Sequence, residues 1–487
     1  MSDIDEYSEN DYSDQEEEEE ELNERVMINP TNVRERLDAA LEALANLKTD
    51  RNRTVSRAEL MDNLTKDLTE YFGYLPELVE MLLNLFSPAE CVEYMEASDR
   101  PRPLVIRTNT LKTNRKALMA ALSKRGVNLE GLDWSKVAVK ITESTIPIGA
   151  TPEYLAGHYM LQSAASMHPV MALGPRPGER VLDMSAAPGG KTTYIAQLMK
   201  NSGTLIANDF KPERQKATIA NLHRMGVKNS IVCNYDGRKF LKVMKNFDRV
   251  LLDAPCSGLG VISRDQSVKL QRTMKDVQRA AHLQKELLCV AVDCCDVNSA
   301  SGGIVVYSTC SITIEENEQV IQYILDKRHV KIVESGLEVG KPGFTRYQDK
   351  RFHPSMALTR RFYPHVHNMD GFYVCKLKKL KNGVKTAGTP SDDEEDELSE
   401  GVDEEEEEEA MEEEEEEEEE EPEPEPEPVK KKKKKARAAE VDCCLEEQEE
   451  PAPKKSKETK EAKKSKENKE SKRPRMNIQQ MRAQTKK

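Results

Sequence analysis

Between residues 181 and 256 the chain repeats one pattern: a short apolar run that stops at a polar residue and gives way to a loop or helix. Val181-Leu182-Asp183-Met184 leads into Ser185-Ala186-Ala187-Pro188-Gly189-Gly190-Lys191-Thr192 and a helix reaching Leu198. Leu205-Ile206-Ala207 ends at Asn208-Asp209 before a helical stretch over 213–225. Ser230-Ile231-Val232-Cys233 leads to Tyr235-Asp236, and Arg249-Val250-Leu251-Leu252 ends at Asp253. Short apolar runs separated by helices predict an α/β chain with a parallel sheet buried on both faces. Such a sheet binds ligands beyond the carboxyl ends of its strands, so the Gly-Gly loop, Asp209, Asp236 and Asp253 are expected to share one pocket. A helix over about 269–297 should follow, then a strand over 303–307 that runs into Ser308-Thr309-Cys310-Ser311, with closing strands through Tyr373-Val374-Cys375.

A strand, a Gly-rich loop and a helix N-terminus suit a nucleotide, a dinucleotide or a nucleoside-bearing cofactor. A phosphate-binding P-loop ends in Gly-Lys-Thr, as Gly190-Lys191-Thr192 does, but Ser185 stands where its first glycine belongs. A dinucleotide loop needs Gly-x-Gly-x-x-Gly, and Pro188-Gly189-Gly190 departs from it. Asp209 can accept both ribose hydroxyls of any adenosine-type cofactor, so it fits S-adenosylmethionine as well as NAD.

Thiol chemistry separates these options. Cys256, within Asp253-Ala254-Pro255-Cys256-Ser257-Gly258, and Cys310 lie 54 residues apart, each at the end of an expected strand of the same crevice. Either cysteine alone reads as a buried structural thiol. Two in tight polar loops beside one cofactor site favour covalent chemistry. Carbon 5 of a pyrimidine is a poor nucleophile until a thiolate adds to C6; it can then attack a sulfonium methyl group, and loss of its proton expels the thiol. An acid near N3 stabilises that adduct. Asp253 can serve directly only if protonated; as an ion it needs an intervening donor or an N3 that already carries a proton.

Asp183–Thr192, Asp253–Gly258 and Thr309–Ser311 together resemble the NOL1/NOP2/Sun (RsmB/NOP2) family of RNA 5-methylcytosine methyltransferases. Three further stretches, 148–160, 351–354 and 367–372, are most similar to its nucleolar NOP2 branch, which modifies large-subunit ribosomal RNA and assists assembly of that subunit. The resemblance spans roughly residues 30–380. It implies a Rossmann-like class I methyltransferase fold with S-adenosyl-L-methionine as cofactor. The family's cofactor contacts would fall on Ser185, Ala186, Ala187, Pro188, Gly189, Gly190, Lys191, Asp209, Asp236 and Asp253. Cys310 would be the nucleophile and Cys256 would assist product release, with Asp253 as third catalytic residue. DNA cytosine methyltransferases use the cysteine of a Pro-Cys motif instead, so motif logic alone would pick Cys256. Ser185 replaces a cysteine common in this loop, which bears little on catalysis.

The remaining chain divides by composition. Residues 1–25 form an acidic tail expected to be disordered, 26–100 a helical module with Leu37, Leu41, Leu44 and Leu47 on one face, and 101–165 a small α+β module that could face RNA. The catalytic domain is expected over 166–380, then a disordered acidic tail over 381–429 and a lysine-rich one over 430–487. The overall charge of -15 hides a basic middle: residues 25–390 hold 52 Lys and Arg against 38 Asp and Glu, a net +14, as a polyanionic partner requires. The acidic runs solubilise, compete for that surface or recruit basic proteins. Ribosomal RNA, pre-60S particles and nucleolar assembly factors are the partners the resemblance implies, with no membrane partner and a nuclear, nucleolar location; the lysine run at 430–435 and Lys472-Arg473-Pro474-Arg475 are compatible with nuclear import. No signal peptide or 18-residue apolar run is present in this sequence, and ten scattered cysteines suit a reducing compartment.

Several residues carry a plainer reading. Lys191 would bind substrate phosphate or merely cover a helix start, and Tyr235 would stack on adenine or pack under the sheet. His353, His365 and His367 lack a metal-site pattern, so no metal is expected. The basic middle also fits a non-catalytic RNA-binding assembly factor built on a methyltransferase scaffold, since fold alone never proves activity.

Overall fold

The computed structural model describes residues 30–46, 56–301 and 303–385. The acidic tail 1–25, most of the tail 381–429, the lysine-rich tail 430–487 and Leu47 lie outside the described residues.

Helices Pro30–Ala45, Arg57–Phe72, Pro76–Leu85 and Pro88–Asp99 come first. Their limits follow from local chemistry: the Ser56 and Ser87 hydroxyls accept from the amides of Glu59 and Glu90, and Gly73 stops the second helix in the left-handed conformation, at φ 68°. Leu37, Leu64, Leu68, Leu78 and Leu82 form their shared core, which continues onto Leu259, Ile262 and Ile312 of the loops that follow Cys256 and Cys310. Tyr94 also donates to the Leu259 carbonyl at 2.8 Å. The helices therefore brace the thiol loops from behind.

An antiparallel sheet of β1 (Leu104–Thr108), β2 (Val127–Gly131), β3 (Ala138–Ser144) and β4 (Tyr159–Leu161) runs in the order β2-β3-β1-β4. The helix Arg115–Ser123 covers it through Leu118 and Leu122.

The large sheet contains β5 (Arg180–Asp183), β6 (Thr204–Asn208), β7 (Ser230–Cys233), β8 (Arg249–Asp253), β9 (Ile304–Thr309) and β10 (Arg328–Val333). The pairs β11 (Lys341–Pro342) with β14 (Arg360–Phe362), and β12 (Arg346–Tyr347) with β13 (Lys350–Arg351), follow, and β15 (Phe372–Val384) closes the series. The order is β11-β14-β15-β9-β8-β5-β6-β7, with β10 also paired to β15. The five strands β5 to β9 are parallel and β15 is antiparallel to β9. This is the Rossmann-like class I methyltransferase arrangement.

Alternation along the strands fills both faces. Leu182, Val250 and Val305 pack with Leu288, Ala291 and Val292 of the helix Met274–Cys294; Val181, Leu251 and Val306 pack with Ile195 and Val170 of helices on the other side. Each such valine, leucine or isoleucine contributes about 1.5–3 kcal/mol on full burial. The chain leaves β5 toward β6 on one side and reaches β8 on the other, so the strand order reverses beside β5 and opens a crevice there.

One expected element is divided. The helix over about 269–297 is a short turn, Val268–Gln271, and then Met274–Cys294. Thr273 is the reason: its hydroxyl accepts from the Asp276 amide while the Asp276 carboxylate accepts from the Thr273 amide, a reciprocal cap that starts a new helix.

Candidate active site

The loop after β5 is shaped by its glycines and by the neighbouring strand. Gly189 has φ 93°, and a side-chain carbon there would stand 3.2 Å from the Thr218 backbone, so only glycine fits. The Ala186 amide donates to the Asn208 carbonyl at 2.7 Å and the Ala187 amide to Asp209 Oδ2 at 3.1 Å. Asn208 also donates from Nδ2 to the carbonyls of Met184 and Tyr235 and accepts the Tyr235 amide, linking the loops after β5, β6 and β7. Ser185 through Gly190, Asp209 and Asp236 therefore edge one crevice. Sequence reasoning gave Asn208 no role.

Asp209 is buried, and its carboxylate also accepts the Lys211 amide at 3.0 Å. Asp236 is half-buried, and its hydrogen bonds with Arg238 hold it below the usual carboxylate range. Phe210, 66% exposed, and Tyr235, 48% exposed and edge-on to Phe240, flank these two acids. Tyr235 therefore does not pack under the sheet. Asp183 is buried, accepts from the Thr192 hydroxyl at 2.7 Å and is pushed by burial up to about 7. Among the described residues its other oxygen, Oδ1, has no hydrogen-bond partner. An orphaned acceptor, a loop that excludes a side-chain carbon, an acid at the end of β6 and two exposed rings form a cradle that fits an adenosine-bearing cofactor.

Lys191 faces across the crevice. Its Nζ donates to Asp253 Oδ2 at 2.7 Å and to Ser166 Oγ at 3.0 Å, and it lies 5.2 Å above the Phe372 ring. Neither role weighed from the sequence for Lys191, phosphate binding or cover for the helix start, describes this contact. Asp253 Oδ1 accepts the Ser308 hydroxyl at 2.8 Å. Each Asp253 oxygen thus meets a donor, and Lys191 is the adjacent donor that an ionised Asp253 needs.

The two cysteines, 54 residues apart in sequence, bring their sulfurs within 2.9 Å. The hydrogen bond to Cys310, burial, and the nearby Cys310 and Glu316 charges all push the Cys256 thiol well up. The two sulfurs share one hydrogen bond, in which either can donate.

What aligns the two loops is Glu316, fully buried. Its Oε1 accepts the Ser257 amide at 2.8 Å and Gln284 Nε2 at 3.0 Å. Its Oε2 accepts the Ser257 hydroxyl at 2.6 Å, the Thr313 hydroxyl at 3.1 Å and the Ser311 hydroxyl. The loops also touch directly: the Gly260 amide donates to the Cys310 carbonyl at 2.9 Å. Sequence reasoning passed over Glu316; its one signal was the run Glu315-Glu316-Asn317-Glu318 so soon after an expected strand end.

Among the described residues no helix is long and apolar enough to cross a membrane. Comparison with known proteins adds independent findings. A family model for the 16S rRNA methyltransferase RsmB/F matches residues 170–378, and one for an RsmF/B-like ferredoxin-like domain matches residues 78–148. The chain is 58% identical over 340 residues to the 25S rRNA (cytosine-C(5))-methyltransferase nop2 of Schizosaccharomyces pombe, covering 69% of this chain and 56% of that protein. It is 36% identical to the tRNA (cytosine(49)-C(5))-methyltransferase of Pyrococcus abyssi, covering 66% of this chain and 98% of that one. A crystal structure of a methyltransferase homolog from Pyrococcus horikoshii superposes with a TM-score of 0.60 at 36% identity, covering 67% of this chain and all of that one. The chain spans 44 to 56% of the length of the eukaryotic ribosomal RNA methyltransferases it matches.

Proposed function

The chain belongs to the NOL1/NOP2/Sun family of RNA cytosine-5 methyltransferases, and from that premise we propose that it methylates C5 of a cytidine in large-subunit ribosomal RNA through a covalent Cys310 adduct. The observation that carries the reading is the pair of thiols 2.9 Å apart beside the Lys191–Asp253 pair. Likeness to the Schizosaccharomyces pombe 25S rRNA enzyme supports ribosomal RNA as the substrate class.

The backbone of Ser185 to Lys191, with Asp209, Asp236 and Asp253, would hold S-adenosyl-L-methionine. When bound, that cofactor supplies an electrophilic methyl group. The chain's own residues do the rest. The Cys310 thiolate adds to C6 and forms the S–C6 bond, and the ring's electron pair moves toward C5. Lys191, held by Asp253, donates toward the N3 and O2 edge where negative charge accumulates. After C5 is methylated and its proton is lost to a base, the S–C6 bond breaks. The Cys310 thiolate then departs beside the Cys256 S–H, which stabilises the leaving sulfur. The cytidine must leave its stack to reach these groups.

We extend the proposal to a role in assembly of the large ribosomal subunit, with pre-60S particles as partner and the nucleolus as location. The basic middle of the chain and the lysine clusters of its tail support that extension.

The test is mass spectrometry of RNA bound to the purified protein with S-adenosyl-L-methionine, comparing the wild type with Cys256→Ala and Cys310→Ala, and sequencing of the trapped RNA. A covalent adduct should accumulate in Cys256→Ala and be absent in Cys310→Ala. No adduct and no methyl transfer on precursor ribosomal RNA would instead favour the non-catalytic assembly factor.

A further inference from the structure

A pocket of about 240 Å³ borders the reaction site without being lined by either thiol. Arg102 and Leu104 form one side, Leu161 and Gln162 the second, and Ser263 and Arg264 the third. It lies where the small antiparallel sheet meets the loop that follows Cys256.

Two chains of hydrogen bonds tie its walls to the chemistry. On one wall, Gln162 donates to Ser166 Oγ at 3.3 Å, and the same oxygen accepts Lys191 Nζ. On the other, Gly260 donates to the Cys310 carbonyl and accepts the Gly371 amide at 2.7 Å, and the adjacent Asp370 pairs with Arg264 at 3.0 Å. The walls are thus the outer surfaces of the Lys191 arm and the nucleophile loop. Whatever fills the pocket therefore contacts elements bonded to both Lys191 and the Cys310 loop.

The lining specifies the chemistry of that occupant. Among the described residues no carboxylate lines the pocket, whereas Arg102 and Arg264 do, the latter already paired with Asp370 behind the wall. Arg102 is held by the carbonyls of Ala97, Arg100 and Pro364 and by Asn368 Oδ1, while its buried Nε has no hydrogen-bond partner among the described residues. All its hydrogen bonds go to neutral acceptors and the Asp370 carboxylate acts on it only through space, which leaves it able to attract an incoming anion. Leu104, 45% exposed at the mouth, and Leu161 add apolar surface. A flat apolar face joined to a phosphodiester satisfies both requirements, and flipping one base leaves its neighbour unstacked.

We propose that this pocket binds the RNA nucleotide adjacent to the flipped cytidine and so sets the sequence context in which the cytidine is modified. The proposal rests on the methyltransferase reading above, and its test does not require turnover.

The full chain is mixed with short single-stranded RNAs carrying one cytidine flanked on its 5′ or 3′ side by 4-thiouridine, irradiated, and mapped by peptide mass spectrometry. One flanking position should crosslink within residues 101–105, 161–163 or 263–264. Leu104→Glu places an anion at the mouth on an exposed position. It should lower that crosslink about tenfold and raise KM for RNA about tenfold with kcat kept, while its melting curve matches the wild type. Leu155→Glu, 67% exposed and outside the pocket, should change neither quantity. Crosslinks from both positions that fall only elsewhere, or a yield indifferent to Leu104→Glu, overturn the proposal. Crosslinking at the pocket without methyl transfer would uphold it and count against the proposed activity.

Discussion

Glu316 touches no reacting atom in the proposed mechanism, yet it accepts five hydrogen bonds from three separate stretches of chain. Glu316→Ala would leave those donors without their acceptor in a buried site, at a cost of about 3 kcal/mol or more. Glu316→Gln keeps the amide and Gln284 contacts at Oε1 and lets two of the three hydroxyls accept the two N–H groups of the new amide, while the third bonds a neighbouring hydroxyl 3.2 Å away. The fold should therefore survive Glu316→Gln with a melting temperature near wild type. Its effect belongs to the thiols. The Glu316 charge helps raise Cys256, so neutralising it lowers the pH at which Cys256 begins to react. Alkylation with iodoacetamide, followed at Cys256 across pH, should start earlier in Glu316→Gln. An unchanged onset would reduce Glu316 to a structural brace. The two thiols were legible in the sequence because cysteine is rare, and each sits in a polar loop at a strand end. Glu316 was not legible, because its donors come from residues 257, 284, 311 and 313 and meet only in the fold.

Among elements, the seam between the small antiparallel sheet and the catalytic domain turns on His168. Its ring stacks 4.5 Å from Trp134 of the small module and 4.4 Å from Phe362 of β14. Nδ1 bonds the Ala164 carbonyl, while buried Nε2 has no partner among the described residues, so a second proton would have none of them to donate to. Burial lowers His168 from 6.5 to about 4. A base depressed in the folded state contributes stability above its unfolded value and loses it as the pH falls. The wild type should therefore lose about 2 kcal/mol more than His168→Phe between pH 7 and pH 5, measured by denaturant unfolding of both. Asp183, raised by burial, works in the opposite direction in both proteins and cancels from the comparison. Equal losses would show that the seam does not sense acid. The elements themselves were legible where the apolar period was regular, as in β5, β6, β8 and β9. The break at Arg272–Thr273 was not, because apolar spacing continues through it and only the Thr273–Asp276 cap marks the new start.

At the scale of the whole molecule, charge is the dominant sequence signal and the one least expressed in the described residues. The middle of the chain carries net +14, and residues 391–429 carry 27 Asp and Glu with no Lys or Arg. A polyanion tethered to a basic surface is present at high effective concentration and competes with any phosphate backbone for it. Deleting 391–429, with 430–487 joined directly, should strengthen RNA binding about tenfold in 50 mM salt. The gain should shrink toward nothing near 0.5 M, where charges further apart than a few ångströms are screened. Adding the 391–429 peptide in trans should weaken the shortened chain again, and a charge-scrambled peptide of equal net charge should do so equally, because the competition is electrostatic. Filter binding across a salt series measures all of this. If deletion leaves the affinity and its salt slope unchanged while lowering solubility, the acidic run only solubilises, and substrate selection rests with the folded domain.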